Sequence, residues 1–232
     1  MIGAPLVRGR STRGVSEVAK TGGLLAAIVL HNLIYPLSAQ PGIGPVVFYA
    51  VYASIFVVGT WLLTREARWR GAALTTGIAV LVAGLVNSYA GSSTAALAVY
   101  LTSIAYHAVM IVVLARYTFT ARTVMTEVIL AATSLYLVLG SVFAAVFGLV
   151  LWLEPGAFVS SSGAEVGWQQ LLYYSYVTLT TLGYGDIVPI GFYAQAFAAF
   201  EAIIGTLYTV ILLSRLVGLH ASGTPRPNSR EN

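Results

Sequence analysis

The sequence predicts an all-α membrane protein with six spanning helices and a shorter re-entrant helix between the fifth and the sixth. Three observations carry this expectation. The chain of 232 residues is 58% hydrophobic and only 9% charged, whereas a soluble domain carries roughly 25% charged residues. Six apolar stretches approach or exceed the length of about 20 residues that a bilayer core demands. All 12 Lys and Arg residues fall on one side of the membrane when those six stretches alternate across it.

Taken in order, the first five stretches are 21–38, 46–63, 71–86, 94–114 and 128–153. The sixth, 191–217, is interrupted only by Glu201. Between the last two lies a shorter apolar run, 168–181, too short to span and suited to a re-entrant helix. Arg8, Arg10, Arg13 and Lys20 precede the first span, and Arg65, Arg68 and Arg70 follow the second. Arg116 and Arg122 follow the fourth, and Arg215, Arg226 and Arg230 sit at or beyond the end of the sixth. The positive-inside rule then places both termini in the cytoplasm. The opposite loops hold Glu154, Glu165 and Asp186 and no bases. Trp152 and Trp168 suit an aromatic belt at the outer interface, Trp61 and Trp69 one at the inner.

These boundaries divide the chain into a cytoplasmic arm (1–20), a four-helix membrane domain (21–115), a C-terminal membrane module (127–217) and a disordered tail (218–232). Arm and tail are too short for a soluble ligand-binding domain, and none is expected. The N-terminus has a second reading. Its basic region, apolar run and Leu37-Ser38-Ala39 resemble a secretory signal peptide, with Leu a poor residue at that place before a cut. Cleavage would leave the orientation of the other five spans unchanged. The absence of cysteine excludes disulfides, cysteine metal sites and cysteine nucleophiles. The net charge of +4 is a topology signal, so no nucleic-acid partner is expected.

The chemistry concentrates in Thr180-Thr181-Leu182-Gly183-Tyr184-Gly185-Asp186. Glycine populates positive φ at low cost. Alternating Gly183 and Gly185 with other residues lets successive carbonyls point the same way. Four such strands around an axis stack rings of oxygens that replace the hydration shell of a potassium ion. The Thr181 hydroxyl adds a ring at the inner end. The short helix before the motif aims its negative C-terminal dipole at the cavity below.

At these residues the chain resembles the potassium channel family. The resemblance covers Thr181 to Asp186, the pore-helix-like run before it and the flanking spans, about residues 127–219, and it is nearest to small bacterial channels of six spans. It implies ion sites for K+ built from the carbonyls of Thr181, Leu182, Gly183 and Tyr184, closed above by Gly185, with Asp186 at the outer mouth. It implies Tyr184 in an aromatic cuff with Tyr173 and Tyr174, Gly205 as a hinge of the inner helix, and Thr206, Thr209 and Leu213 facing the cavity. One motif per chain implies a homotetramer in the lipid bilayer. K+ is then the permeant ion and no cofactor is needed. The location implied is a bacterial inner membrane. Twelve outer acids around one mouth, three from each of four chains, would raise the local cation concentration.

Two departures from the family pattern stand out. Leu182 replaces the usual Val, which leaves the filter lining unchanged and alters the packing behind it. Val177 stands where some relatives carry a pore-helix glutamate, so no acid there pairs with Asp186. The fourth span carries no arginine between Ala105 and Leu114, whereas steep voltage gating needs roughly 3–4 charges per subunit.

Glu201 has two readings: a neutral acid held by a hydrogen bond behind the pore helix, with Thr178, Thr180 or a tyrosine as partner, or a tuning group near the filter. His31 and His107 read as interhelical hydrogen bonders or as a pH or metal pair. A non-selective cation channel of the same fold, and a membrane enzyme or transporter using His31, His107 and Glu201, remain as alternatives.

Overall fold

The computed structural model describes residues 12–39, 42–64, 66–123 and 125–223. The calls on residues 1–11 and 224–232, on Arg65 and on the guanidinium of Arg13 lie outside what is described.

Seven helices follow one another: α1 (Thr12–Ile34), α2 (Gly44–Leu63), α3 (Ala67–Ala90), α4 (Ser93–Thr120), α5 (Thr126–Leu153), α6 (Trp168–Leu179) and α7 (Phe192–Gly223). A 3-10 turn, Tyr35–Ala39, extends α1. Among the described residues, six of the helices are long and apolar enough to cross a membrane; α6, at 12 residues, is not. The chain is therefore a multi-pass membrane protein with one short embedded helix. Helix α1 begins at Thr12, ahead of the apolar stretch, and α7 continues to Gly223, beyond the place where apolar residues give out. Hydropathy marks the bilayer rather than the helix end, and neither Arg13 nor Arg215 breaks a helix.

Local signals set the helix ends. Pro45 sits in the first turn of α2, where its missing N–H is not needed. Gly91 ends α3 in the left-handed region at φ 59°, its N–H reaching the Asn87 carbonyl. Ser92 caps α4 by accepting the Ala95 N–H at 3.2 Å. At the start of α6 the Gln170 side chain accepts the Gly167 N–H at 2.9 Å.

Helices α1 to α4 pack in chain order, and α5 closes the group by lying against both α4 and α1. Ile28, Phe48, Tyr52, Tyr106, Met110 and Val138 form the centre of this core. On its other side α5 meets α6 and α7 around Phe147, Phe158, Leu171, Tyr174 and Ala198. Helix α5 thus joins two cores, which is why fifteen of its residues are buried. Lipid tails are as apolar as leucine, so these contacts depend on close fit. Three tyrosine rings lie directly on glycines of the neighbouring helix: Tyr49 on Gly84, Tyr100 on Gly148 and Tyr176 on Gly140.

One departure from an all-helical chain is a short antiparallel ladder. Strand β1 (Phe158–Ser160) pairs with β2 (Ile187–Pro189), Val159 opposite Val188. Its β-branched and aromatic residues suit strand pairing, but three residues are too few to give a period.

The end of the bundle that carries the bases is tied by charge. Glu66, just before α3, accepts from Arg68 at 2.7 Å and from Arg116 of α4 at 3.1 Å. The Arg68 hydrogen bond, with both guanidinium charges, holds its carboxyl below the usual carboxylate range. Arg70 lies over the Trp61 ring at 4.8 Å. Arg215 of α7 donates to the carbonyls of Thr118, Phe119 and Ala121 at the end of α4, at 2.6, 3.1 and 2.5 Å, neutralising that helix terminus.

The glycine cradles give a stability test. Gly148→Leu must displace the Tyr100 ring, and thermal unfolding in detergent is expected to show a loss of about 1–3 kcal/mol. Adding Tyr100→Ala should recover part of it.

Candidate functional site

After α6 the backbone leaves helical geometry, and residues 180–185 are exposed in the single chain. The left-handed region is used at every second residue: Thr181 at φ 57°, Gly183 at 60° and Gly185 at 75°. Glycine takes this conformation freely. Threonine, β-branched, is strained there by about 1–3 kcal/mol, and Thr181 is the one non-glycine residue with positive φ among those described. Alternating handedness turns consecutive carbonyls to one side of the strand. Among the described residues no hydrogen bond is made to the carbonyls of Thr181 through Gly185.

The strain is held by bonds on both sides. The Val177 carbonyl accepts the N–H of Leu182 at 2.9 Å and that of Gly183 at 3.3 Å, and the Thr178 carbonyl accepts from Thr181 at 2.9 Å. Beyond the strand, Asp186 accepts from the Tyr173 hydroxyl at 2.8 Å and from the Ile187 N–H at 3.1 Å. The Asp186 carbonyl accepts the Ser161 N–H at 2.8 Å, continuing the β1–β2 ladder. The loop after α5 therefore anchors the exit of the motif.

Helix α7 closes the back. Glu201 is fully buried against α6. Its Oε1 lies 2.5 Å from Ser175 Oγ, which is also 2.6 Å from the Gly140 carbonyl. A serine hydroxyl has one proton and a carbonyl can only accept. Closing both contacts takes a proton from the Glu201 carboxyl, which donates to Ser175 while Ser175 donates to Gly140. Among the described residues Oε2 has no partner, which an ionised carboxylate in this dry position would not tolerate. One turn on, Gly205 meets the Leu179 carbonyl so closely that any β-carbon would collide with it. Glu201 and Gly205 are four residues apart on α7, as are their partners Ser175 and Leu179 on α6, so the two helices lie in register along one face.

Residues 123–219 match the family model described as "Ion channel". This stretch is an ion-channel domain. A "Two pore potassium channel c" from Oryza sativa subsp. japonica is 43% identical over 63 residues, 27% of this chain and 14% of that protein. The chain thus matches only a small part of that relative's length. The family and the relative are channels, not enzymes. No solved structure matches the chain.

Within the ion-channel domain most residues singled out from sequence converge. Thr181 to Asp186 form one strand, with Glu201 and Gly205 on the helix behind α6. Leu182 lines a cleft beside α6 with Val177 and Thr180. Thr206, Thr209 and Leu213 lie on an exposed part of α7, the two hydroxyls donating to the carbonyls of Ala202 and Gly205. Two expectations need correction. Tyr174 does not join Tyr184: its ring lies 5.1 Å from that of Phe147 and 5.3 Å from that of Phe158, in the core, because it points about 100° round α6 from Tyr173. Glu201 meets Ser175 rather than Thr178, Thr180 or a tyrosine. Gly205, the expected hinge, lies at a close helix approach within a continuous α7. His31 and His107 sit in the other core, away from Glu201. His107 bonds the Ser103 carbonyl at 2.7 Å and contacts the Tyr52 hydroxyl at 3.2 Å across to α2, the interhelical role foreseen. Among the described residues no cluster of His, Asp or Glu fits a metal ion.

Sequence reasoning missed Ser175, the bond from Tyr173 to Asp186 and the left-handed Thr181. A serine in an apolar helix near an intramembrane acid is a usable signal for the first. Nothing in the threonine itself announces positive φ.

Two substitutions separate the roles at Glu201. Glu201→Gln keeps a donor for Ser175 and is expected to unfold within about 1 kcal/mol of wild type. Ser175→Ala strands both Gly140 and Glu201 and should cost about 1–3 kcal/mol, read as the shift in thermal unfolding of the detergent-solubilised protein.

Proposed function

We propose that the chain is one subunit of a homotetrameric channel that conducts K+ passively through a pore lined by residues 181–185. The observation that carries this reading is the run of five carbonyls, turned by alternating handedness and left without protein partners. Irregular backbone at membrane depth persists only where it lines water or is covered by protein. In a single chain Leu182 is 55% and Tyr184 66% exposed. A fourfold arrangement supplies both conditions: side chains meet neighbouring subunits and carbonyls meet ions. In that arrangement the carbonyls of Thr181, Leu182, Gly183 and Tyr184, with the Thr181 hydroxyl, bind K+. Thr206, Thr209 and Leu213 line the cavity below.

The remaining assignments follow from charge. Helix α4 carries no Lys or Arg before Arg116, which is paired with Glu66 at its end. The four-helix domain is accordingly not a strong voltage sensor. The distribution of bases supports a cytoplasmic location for both termini, in a bacterial inner membrane by resemblance, with the acids Glu154, Glu165 and Asp186 at the outer mouth. A non-selective pore of the same fold is the second reading, motivated by Leu182 beside Val177.

Purified protein in potassium-loaded vesicles tests the assignment. Rubidium uptake driven by the potassium gradient is expected, blocked by barium, with light scattering giving the mass of four chains. Gly183 has φ 60°, so Gly183→Asp disrupts the strand and should reduce uptake to that of protein-free vesicles. Undiminished uptake in Gly183→Asp would sink the proposal. Leu182→Val should leave the permeant ion unchanged.

A further inference from the structure

An asparagine in an apolar helix is costly unless its amide is used. Asn32 lies in the last turn of α1, and its Nδ2 donates to the Tyr176 hydroxyl of α6 at 2.6 Å. That hydroxyl in turn donates to the Leu137 carbonyl of α5 at 2.9 Å. A phenol has one proton. With Leu137 receiving it, Tyr176 can only accept from Asn32, and the amide is fixed with its nitrogen towards α6. The other end of the amide, Oδ1, is enclosed and has no partner among the described residues. A leucine of similar volume would carry no such cost. The bond to Tyr176 is what the amide adds.

Tyr176 stands in the last turn of α6, where several ties meet. Its ring is seated on Gly140 of α5. Its own carbonyl accepts the Thr180 N–H at 3.1 Å and the Thr180 hydroxyl at 2.7 Å. The next carbonyl, that of Val177, holds the N–H groups of Leu182 and Gly183. A displacement of Tyr176 therefore moves the groups that tie down the strand 181–185. Seven residues earlier α6 has a second tie to the same helix. Gln169 donates to the Ser38 hydroxyl at 3.3 Å, in the turn that extends α1, and the Trp168 ring meets that of Tyr35 at 6.4 Å. The two ties lie about 10 Å apart along α6, so α1 sets the direction of that helix as well as its position.

We infer that Asn32 is a positioning residue for ion conduction: through Tyr176 it holds α6 at the angle that keeps the carbonyls of 181–185 in line. Helix α1 is thereby part of the support of the pore. The inference rests on the proposal that this strand lines a K+ pore. It gives the four-helix domain a part in conduction that needs no sensor charge.

The test is the residence time of barium in single channels of the full-length protein, recorded in planar bilayers. Barium lodges among the carbonyl rings, so this time reads how firmly the strand is held, and a loss of helix packing elsewhere leaves it alone. Asn32→Leu and Tyr176→Phe are each expected to shorten it about 2–10-fold, the worth of one hydrogen bond. Asn32→Ala takes the place of the leucine variant should the latter not assemble. The double variant should be no shorter than Tyr176→Phe alone, because Asn32 acts only through that hydroxyl. Gly148→Leu, which disturbs α4 against α5 at Tyr100, should lower stability and leave the residence unchanged. Wild type that conducts without barium block would remove the pore assignment and this inference with it. With wild type blocked, an unchanged residence in the Asn32 variant, equal shortening by Gly148→Leu, or effects that multiply in the double variant would overturn this inference alone.

Discussion

Five consecutive backbone carbonyls without hydrogen-bond partners among the described residues, held within a membrane protein, are the constraint on which the remaining structure depends. The N–H groups of the first three residues, Thr181, Leu182 and Gly183, are tied to Thr178 and Val177, and the exit of the strand is tied through Asp186 to Tyr173 and Ser161. Nothing inside the strand favours this shape: Thr181 is strained, and glycines at 183 and 185 remove only the penalty at their own positions. The conformation persists because its surroundings over-determine it. Helix α6 is positioned by α5 through Tyr176 on Gly140 and by α7 through Glu201 with Ser175 and Gly205 with Leu179.

The buried acid illustrates how such a site is built from neutral groups. A carboxylate at Glu201 would need a counter-charge, and among the described residues none lies beside it. A carboxylic acid instead completes a chain of donors from Glu201 through Ser175 to Gly140, linking α7, α6 and α5 with two short hydrogen bonds. In a low-dielectric interior such a chain is stronger than its parts in water. Further links reach the four-helix domain: Asn32 donates to the Tyr176 hydroxyl at 2.6 Å, and the charged Arg215 caps the end of α4. The domain without sensor charges is thus joined to both ends of the ion-channel domain.

Much of this was legible from composition and order. Six spans, their alternation and the short embedded helix follow from the spacing of apolar runs and of twelve bases, because a bilayer imposes length on every segment. The strand 181–185 was legible because glycine spacing encodes backbone handedness. What escaped depends on contacts between distant segments. The partner of Glu201 was sought among threonines and tyrosines, yet the register of α6 against α7 selects Ser175. The two tyrosines at 173 and 174 differ in role only because successive helical positions diverge by about 100°. The β1–β2 ladder joins triplets far apart in sequence and too short to show a period.

The central claim, that the strand lines a pore selecting K+ by dehydration, is tested most directly by the reversal potential of purified protein in a planar bilayer with K+ on one side and Na+ on the other. The account predicts a displacement toward the K+ equilibrium potential of more than about 59 mV, a tenfold preference for a monovalent ion. A current that reverses at zero would contradict it.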